Sequence, residues 1–261
     1  MEVIFDKYQG AGNDFIIIDN RDEKYSCLKS SQLKLLCDRN IGIGANGVIL
    51  IHYTSGADFE MHYFNSDGNL STLCGNGGRC AVAFANRHQM IKSQTQFKAI
   101  DGLHEAEIVS NHNVRLKMNE VKKLINHKNG ILIDTGSPHY IQLVENISIL
   151  NIKKEGAEIR YSDPFLANGI NVNFLEKQNN SHFSIRTYER GVEDETLACG
   201  TGAVAGALAM HHLGKTKGLT KIKLEAIGGM LIVDFAISEI GYKNIQLEGP
   251  ATFVYSGCIN I

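Results

Sequence analysis

From Ala203 to Met210 the chain reads Ala-Val-Ala-Gly-Ala-Leu-Ala-Met, inside an apolar segment running from Gly202 to Leu213. The segment is too long for an ordinary strand and too uniformly apolar for a surface helix. A helix apolar on nearly every side has to be enclosed on nearly every side. Gly78–Met90 repeats the pattern with Cys80, Ala81, Val82, Ala83, Phe84 and Ala85. The material available to enclose these helices is short strands. Phe59, Met61 and Tyr63 alternate with Glu60 and His62; Val114, Leu116 and Met118 with Arg115 and Lys117; Phe183, Ile185 and Thr187 with Ser184, Arg186 and Tyr188. Such period-2 patterns mark half-buried, antiparallel strands. Ser30–Asn40 reads as an amphipathic helix with Leu33, Leu36 and Cys37 on one face. The expected fold class is α+β: two homologous domains, each a curved, mainly antiparallel sheet wrapped around a central apolar helix, with the active site in the cleft between them. Small residues on the helices let the sheets approach closely.

The duplication has its own signal. Aligning Cys74 with Cys199 also places Asn46 on Asn171, each ahead of an apolar run. Within one residue of the same spacing, Phe64-Asn65 falls on Tyr188-Glu189 and Gly12 on Gly136. The expected domains are residues 1–121, carrying Cys74, and 122–261, carrying Cys199. The polar stretch at 119–130 joins them, and the last residues, about ten of them, are expected to be tied down by packing back on the first half.

The bulk properties exclude several classes. With 261 residues, 43% of them hydrophobic, the chain can bury a substantial core. A net charge of -2 without a long run of one sign offers nothing to nucleic acid or an acidic membrane surface. No stretch reaches the ~18 apolar residues of a membrane span. The N-terminus lacks the basic-then-apolar layout of a signal peptide, so a cytoplasmic location is expected. Of the six cysteines none forms a Cys-x-x-Cys pair, which argues against a zinc ribbon, another metal site or a thioredoxin-type centre. A reducing compartment suits them, with Cys27, Cys37, Cys80 and Cys258 read as small buried hydrophobes.

Cys74 and Cys199 are different, because each stands directly before Gly-x-Gly at the head of an apolar segment. Unpaired N–H groups and the dipole at a helix N-terminus favour a thiolate there. The glycines let backbone amides approach an anion, so the same helix end can hold a substrate carboxylate. Two such ends in one cleft put a thiol on each side of a bound carboxylate. Inverting a stereocentre beside a carboxylate needs that arrangement: one thiolate removes the α-proton and the opposing thiol returns a proton from the other face. A disulfide-exchange site would want both sulfurs together, and a cysteine hydrolase one sulfur with a histidine base.

At these residues the chain resembles the diaminopimelate epimerases, which are cofactor-independent amino-acid epimerases. The resemblance extends over Gly12-Asn13-Asp14-Phe15, Gly42-Ile43-Gly44, Phe64-Asn65-Ser66-Asp67-Gly68 and Cys74-Gly75-Asn76-Gly77-Gly78-Arg79-Cys80. It continues through Pro138-His139, Asn171-Val172, Glu189-Arg190-Gly191, Glu195-Thr196, Cys199-Gly200-Thr201-Gly202 and Gly249-Pro250-Ala251. It implies interconversion of LL- and meso-diaminopimelate, for lysine and peptidoglycan synthesis, with no cofactor and no metal. It implies Cys74 and Cys199 as the acid/base pair and His139 and Glu189 beside them, tuning them. Amides of Gly75, Asn76, Gly200 and Thr201 would hold the reacting carboxylate. Asn13, Asn65, Asn171, Glu189 and Arg190 would bind the remaining ammonium and carboxylate groups. The only partner implied besides this small amino-acid substrate is a second copy, as a homodimer. The family often has Asp where Asn46 stands and Asn where Ser137 stands, which leaves contacts from Asn46, Gly47 and Ser137 to substrate open.

Proline and hydroxyproline racemases share the paired cysteines, but usually carry His after the first Cys-Gly and Pro before the second Cys; here these residues are Asn76 and Ala198. A non-catalytic anion-binding module would explain the glycine loops and not the cysteines. A thiol redox protein would need the two sulfurs to close on each other. A pyridoxal phosphate enzyme would give the paired thiols no role.

Overall fold

The computed structural model describes residues 1–71 and 74–261. It divides into two compact units, Met1–Leu116 with Gly249–Ile261, and Lys117–Glu248.

In the first unit, β1 (Glu2–Gly10) and β2 (Asn13–Asp19) form a hairpin. Its turn residues Ala11 and Gly12 sit at φ 50° and 86°, the left-handed pair that matches the twist of two-residue hairpins. After α1 (Ser30–Cys37), β3 (Gly47–His52) runs parallel to β2, and β4 (Phe59–Asn65) antiparallel to β3. The short β5 (Leu70–Ser71) pairs with β4, and α2 (Gly75–Arg87) follows. Then β6 (Gln94–Ala99) lies parallel to β4, β7 (Gly102–Ser110) antiparallel to β6, and β8 (Asn113–Lys117) antiparallel to β7. The chain's last strand, Thr252–Asn260, pairs with β1, Glu2 facing Asn260. Helix α2 packs against β1, β2, β3, β4, β7 and that last strand. Cys80, Ala81, Val82 and Ala85 are wholly enclosed.

The second unit repeats this order. It opens with β9 (Leu124–His127), which pairs with β10 (Gly130–Asp134). Strand β10 then pairs antiparallel with β11 (Pro138–Leu143). After α3 (Ile152–Arg160), β12 (Asn171–Lys177) runs parallel to β11 and β13 (His182–Glu189) antiparallel to β12. The short β14 (Asp194–Thr196) pairs with β13, α4 (Gly200–His212) follows, and β15 (Lys221–Ala226) lies parallel to β13. Strands β16 (Gly229–Ser238) and β17 (Gly241–Pro250) complete an antiparallel run. Each parallel pair is joined by a crossover that contains a helix, as parallel pairing demands. Helix α4 packs against β10, β11, β12, β13, β15 and β16, and Ala203–Met210 are all buried. The fold class is the expected one, mainly antiparallel sheet around an apolar helix, built twice.

Both central helices begin directly after their cysteines, as the reading of those cysteines at helix N-termini requires, with enclosure by the sheet overriding the low helix propensity of the glycines. Other local expectations shift. Helix α1 stops at Cys37 instead of Asn40. There Asp38 turns extended, and its Oδ1 accepts from the N–H of Asn40 (2.8 Å) and Ile41 (3.1 Å), a local bond that competes with helix. Cys37 and Cys80 are buried, whereas Cys27 and Cys258 are exposed. Cys258 alternates with half-buried Gly257 and Ile259 on the outer face of the last strand. No helix among the described residues is long and apolar enough to cross a membrane.

Candidate active site

In the first unit, Cys74 is the N-cap of α2, with extended backbone (φ -88°, ψ 121°). The first helical hydrogen bond runs from Gly78 N–H to Cys74 O at 2.7 Å, so the preceding amides face out of the helix end. Asn76 is buried, and its Oδ1 accepts from Nη2 of Arg79 at 2.6 Å. Arg79 is 0% exposed and also donates from Nε to the Pro250 carbonyl at 3.3 Å. Burial lowers its pKa, and the nearby Cys80 and Cys74 act in the opposite direction. Asn13 opens β2, half-buried, and Asn65 ends β4, exposed and in register with Gly47. A Cβ on Gly47 would come 2.4 Å from the Phe64 carbonyl, so side-chain-free backbone is required there. Asn46 is occupied by Asp14: its Oδ1 accepts from the Asp14 N–H at 3.1 Å, and its own N–H donates back to Asp14 O at 2.9 Å. Lys7 and Arg39 in turn clamp the Asp14 carboxylate.

The second unit places Cys199 at the equivalent N-cap, of α4 (φ -115°, ψ 115°), with Ala203 N–H donating to Cys199 O at 2.9 Å. His139, from the start of β11, is 0% exposed. Its Nε2 lies 3.0 Å from Oγ1 of Thr201, which lies 3.5 Å from Sγ of Cys199. Thr135 donates to the Thr201 carbonyl at 3.0 Å and pins that first turn. Glu189, at the end of β13, accepts from Oγ1 of Thr196 at 2.9 Å. Burial raises its pKa, and the Thr196 bond opposes that. Asn171 is engaged at both ends of its amide. It donates to Ser137 Oγ (2.8 Å) and the Pro138 carbonyl (3.1 Å), and its Oδ1 accepts the Arg190 N–H (2.9 Å). Ser137 thus meets Asn171, and the exposed Arg190 guanidinium donates to the Asn168 carbonyl at 3.0 Å.

The structure therefore brings His139, Thr201 and Cys199 together in one chain of contacts, with Glu189 and Asn171 on neighbouring strand ends. Two participants escape a reading of sequence alone. Asn173 holds His139, and Arg79 lies beneath the head of α2. Asn173 stands between Val172 and Phe174 in a buried strand, and a buried amide there demands partners; that is the signal that could have found it. Among the described residues no group of three or more His, Cys, Asp or Glu is placed to hold a metal ion.

Burial, and secondarily the charge of Arg190, depress the His139 imidazole from its usual 6.5 to about 3. Between those values the unfolded chain binds a proton that the folded chain does not, so this group makes stability rise with pH across that window and fall on acidification. The raised Glu189 carboxyl acts with the opposite sign above its ordinary value. Denaturant unfolding of His139→Gln across pH 3–6.5 is expected to show a shallower loss of stability toward acid than the parent; an unchanged slope would mean that His139 titrates normally.

A family model described as diaminopimelate epimerase matches residues 5–124 and 131–254. The chain is 50% identical over 253 residues to a diaminopimelate epimerase of Flavobacterium psychrophilum, covering 97% of this chain and 98% of that one. It is 44% identical over 263 residues to the diaminopimelate epimerase of Chlorobaculum tepidum, covering 97% and 99%. Among solved structures, a phenazine biosynthesis protein of the PhzF family from Bacillus anthracis matches with a TM-score of 0.75 at 15% identity, over 100% of both chains. A hydroxyproline epimerase from Agrobacterium vitis matches with a TM-score of 0.68 at 14% identity, over 99% of this chain and 92% of that one. At such identities these two likenesses speak to the fold alone.

Proposed function

The chain belongs to the diaminopimelate epimerase family, and we propose that it interconverts LL- and meso-2,6-diaminopimelate without a cofactor, with Cys74 and Cys199 as the acid–base pair. The observation that carries the cysteine assignment is positional: both are N-caps of buried helices at equivalent places in a repeated topology. The product serves lysine synthesis and peptidoglycan precursors. A cytoplasmic location and a homodimer belong to the same reading.

The chemistry requires the two sulfurs to reach opposite faces of one α-carbon. One thiolate takes the α-proton, and the electron pair left on carbon delocalises into the adjoining carboxylate. The other thiol delivers its proton to the opposite face, so the two sulfurs exchange protonation states in each turnover. The amides of Gly75, Asn76, Gly200 and Thr201, at positive helix ends, stabilise the charge that grows on the carboxylate. Arg190 offers a fork to the distal carboxylate, and Glu189, Asn13 and Asn65 offer acceptors to ammonium groups. Asn171 holds Ser137 and the Arg190 backbone in place for this.

Reduced protein is to be incubated with LL-diaminopimelate in heavy water, with no added cofactor. Deuterium is expected at the α-carbon as the meso isomer forms. The absence of both deuterium and meso product would sink the substrate assignment, and proline and hydroxyproline would be the next α-protons to try.

A further inference from the structure

Resting on the epimerase reading, we propose that Asn173 is a positioning residue whose side-chain amide fixes His139 as the tautomer with its hydrogen on Nε2, so that Thr201 turns its hydroxyl hydrogen toward Sγ of Cys199.

Asn173 lies on β12 and is 0% exposed. Its Nδ2 faces the Tyr140 carbonyl at 3.4 Å, and a carbonyl can only accept. Its Oδ1 faces the Thr187 hydroxyl at 2.9 Å, which donates to it. These two neighbours set the amide one way round, NH2 toward Tyr140 and oxygen toward Thr187. The same NH2 lies 3.0 Å from Nδ1 of His139. It has only hydrogens to offer, so Nδ1 must accept, and a neutral imidazole then carries its hydrogen on Nε2. That N–H donates to Oγ1 of Thr201 at 3.0 Å. The Thr201 hydroxyl keeps one hydrogen of its own, and the acceptor in reach is Cys199 Sγ at 3.5 Å.

Every donor in this series therefore points the same way, from Asn173 through His139 and Thr201 to sulfur. A hydrogen aimed at sulfur stabilises it in the state where it carries charge. Burial of His139 keeps the imidazole neutral and preserves this polarity. The fold also reserves the space: a Cβ on Gly202 would stand 2.3 Å from Asn173 Oδ1.

The test is nitrogen-15 NMR of imidazole-labelled protein, the His139 signals being identified by their loss in His139→Gln. The expected spectrum has hydrogen on Nε2 and a bare Nδ1. In Asn173→Asp the new carboxylate should draw a hydrogen onto Nδ1, with kcat falling about 10- to 100-fold, the scale on which losing a partner that orients a histidine acts in metal sites. Thr201→Val should lower kcat with little change in KM, and Thr201→Ser should restore it. Hydrogen on Nδ1 in the parent protein overturns the proposal, and that spectrum needs no folded variant at Asn173 or Thr201. A folded Asn173→Asp with parental kcat overturns it too. Epimerisation with the wrong tautomer defeats this inference alone. The expected tautomer in a protein that does not epimerise diaminopimelate defeats the functional reading and leaves the assignment of His139 standing.

Discussion

Epimerisation is expected to be lost in both Cys74→Ala and Cys199→Ala, by at least the factor of about 10²–10⁴ that a positioned acid–base group contributes. The informative part of the result is what each variant keeps. A protein with one sulfur can still remove the α-proton that faces that sulfur and put a deuteron back on the same face. Each variant is therefore expected to exchange the α-hydrogen of one stereoisomer, slowly and without inversion. The two variants should do so for opposite stereoisomers, which assigns each cysteine to a direction. Serine substitutions should behave like alanine for inversion, since an alcohol is a far weaker acid than a thiol. The measurement is deuterium uptake from heavy water into pure LL- and pure meso-substrate, with each isomer quantified. Inversion at the parental rate in either variant ends the two-thiol reading.

How far the sequence reaches depends on which physical signal each feature leaves. The two buried helices are legible because an all-round apolar, small-residue run has almost no other use in a strand-rich chain. The repeat is legible because Cys74 and Cys199, and Asn46 and Asn171, keep their spacing. The structure deepens it into a matched order of strands, with parallel pairs β2–β3 and β4–β6 answered by β11–β12 and β13–β15. Those parallel pairs leave no local trace, because alternation along a strand is the same whichever way its neighbour runs. Helix α3 is hidden for another reason: only Ile152 and Gly156 of it are buried, too little apolar surface to stamp a 3.6-residue period on a nine-residue segment. In the site, Cys74 and Cys199 are legible as helix caps because each stands directly before Gly-x-Gly. Asn173 is missed because a strand of Val172, Phe174 and Leu175 reads as apolar around it, and only the three-dimensional partners Tyr140, Thr187 and His139 give its amide a purpose.

Two glycines of α4 separate close packing from chemistry. A Cβ on Gly206 would meet Cδ2 and Cδ1 of Leu175 at 3.0 and 3.3 Å, the far end of a side chain that can yield. Alanine there also gains helix propensity, about 0.8–1 kcal/mol relative to glycine. The two effects oppose, and Gly206→Ala is expected to stay within about 1 kcal/mol of the parent. Gly202 is different, because the atom in the way, Asn173 Oδ1 at 2.3 Å, is tied to Thr187 by a hydrogen bond, and the same amide holds His139. Moving that amide adds an overpacking cost of about 1–3 kcal/mol to about 1–3 kcal/mol for polar groups left unpaired in the interior. After the propensity gain, Gly202→Ala should lose about 1–5 kcal/mol, and at about 2–4 °C per kcal/mol its Tm should fall by roughly 6–12 °C in the middle of that range. Activity should fall as well, since a shift of about 1 Å at reacting groups costs on the order of 10²-fold and Cys199 Sγ stands 3.3 Å from the new methyl position. Calorimetry and steady-state rates on the two alanine variants decide it. If Gly202→Ala melts and turns over like Gly206→Ala, the glycine after Cys199-Gly200-Thr201 serves only to let the sheet approach the helix. If only Gly202→Ala fails, that position is kept bare for the amide that holds His139.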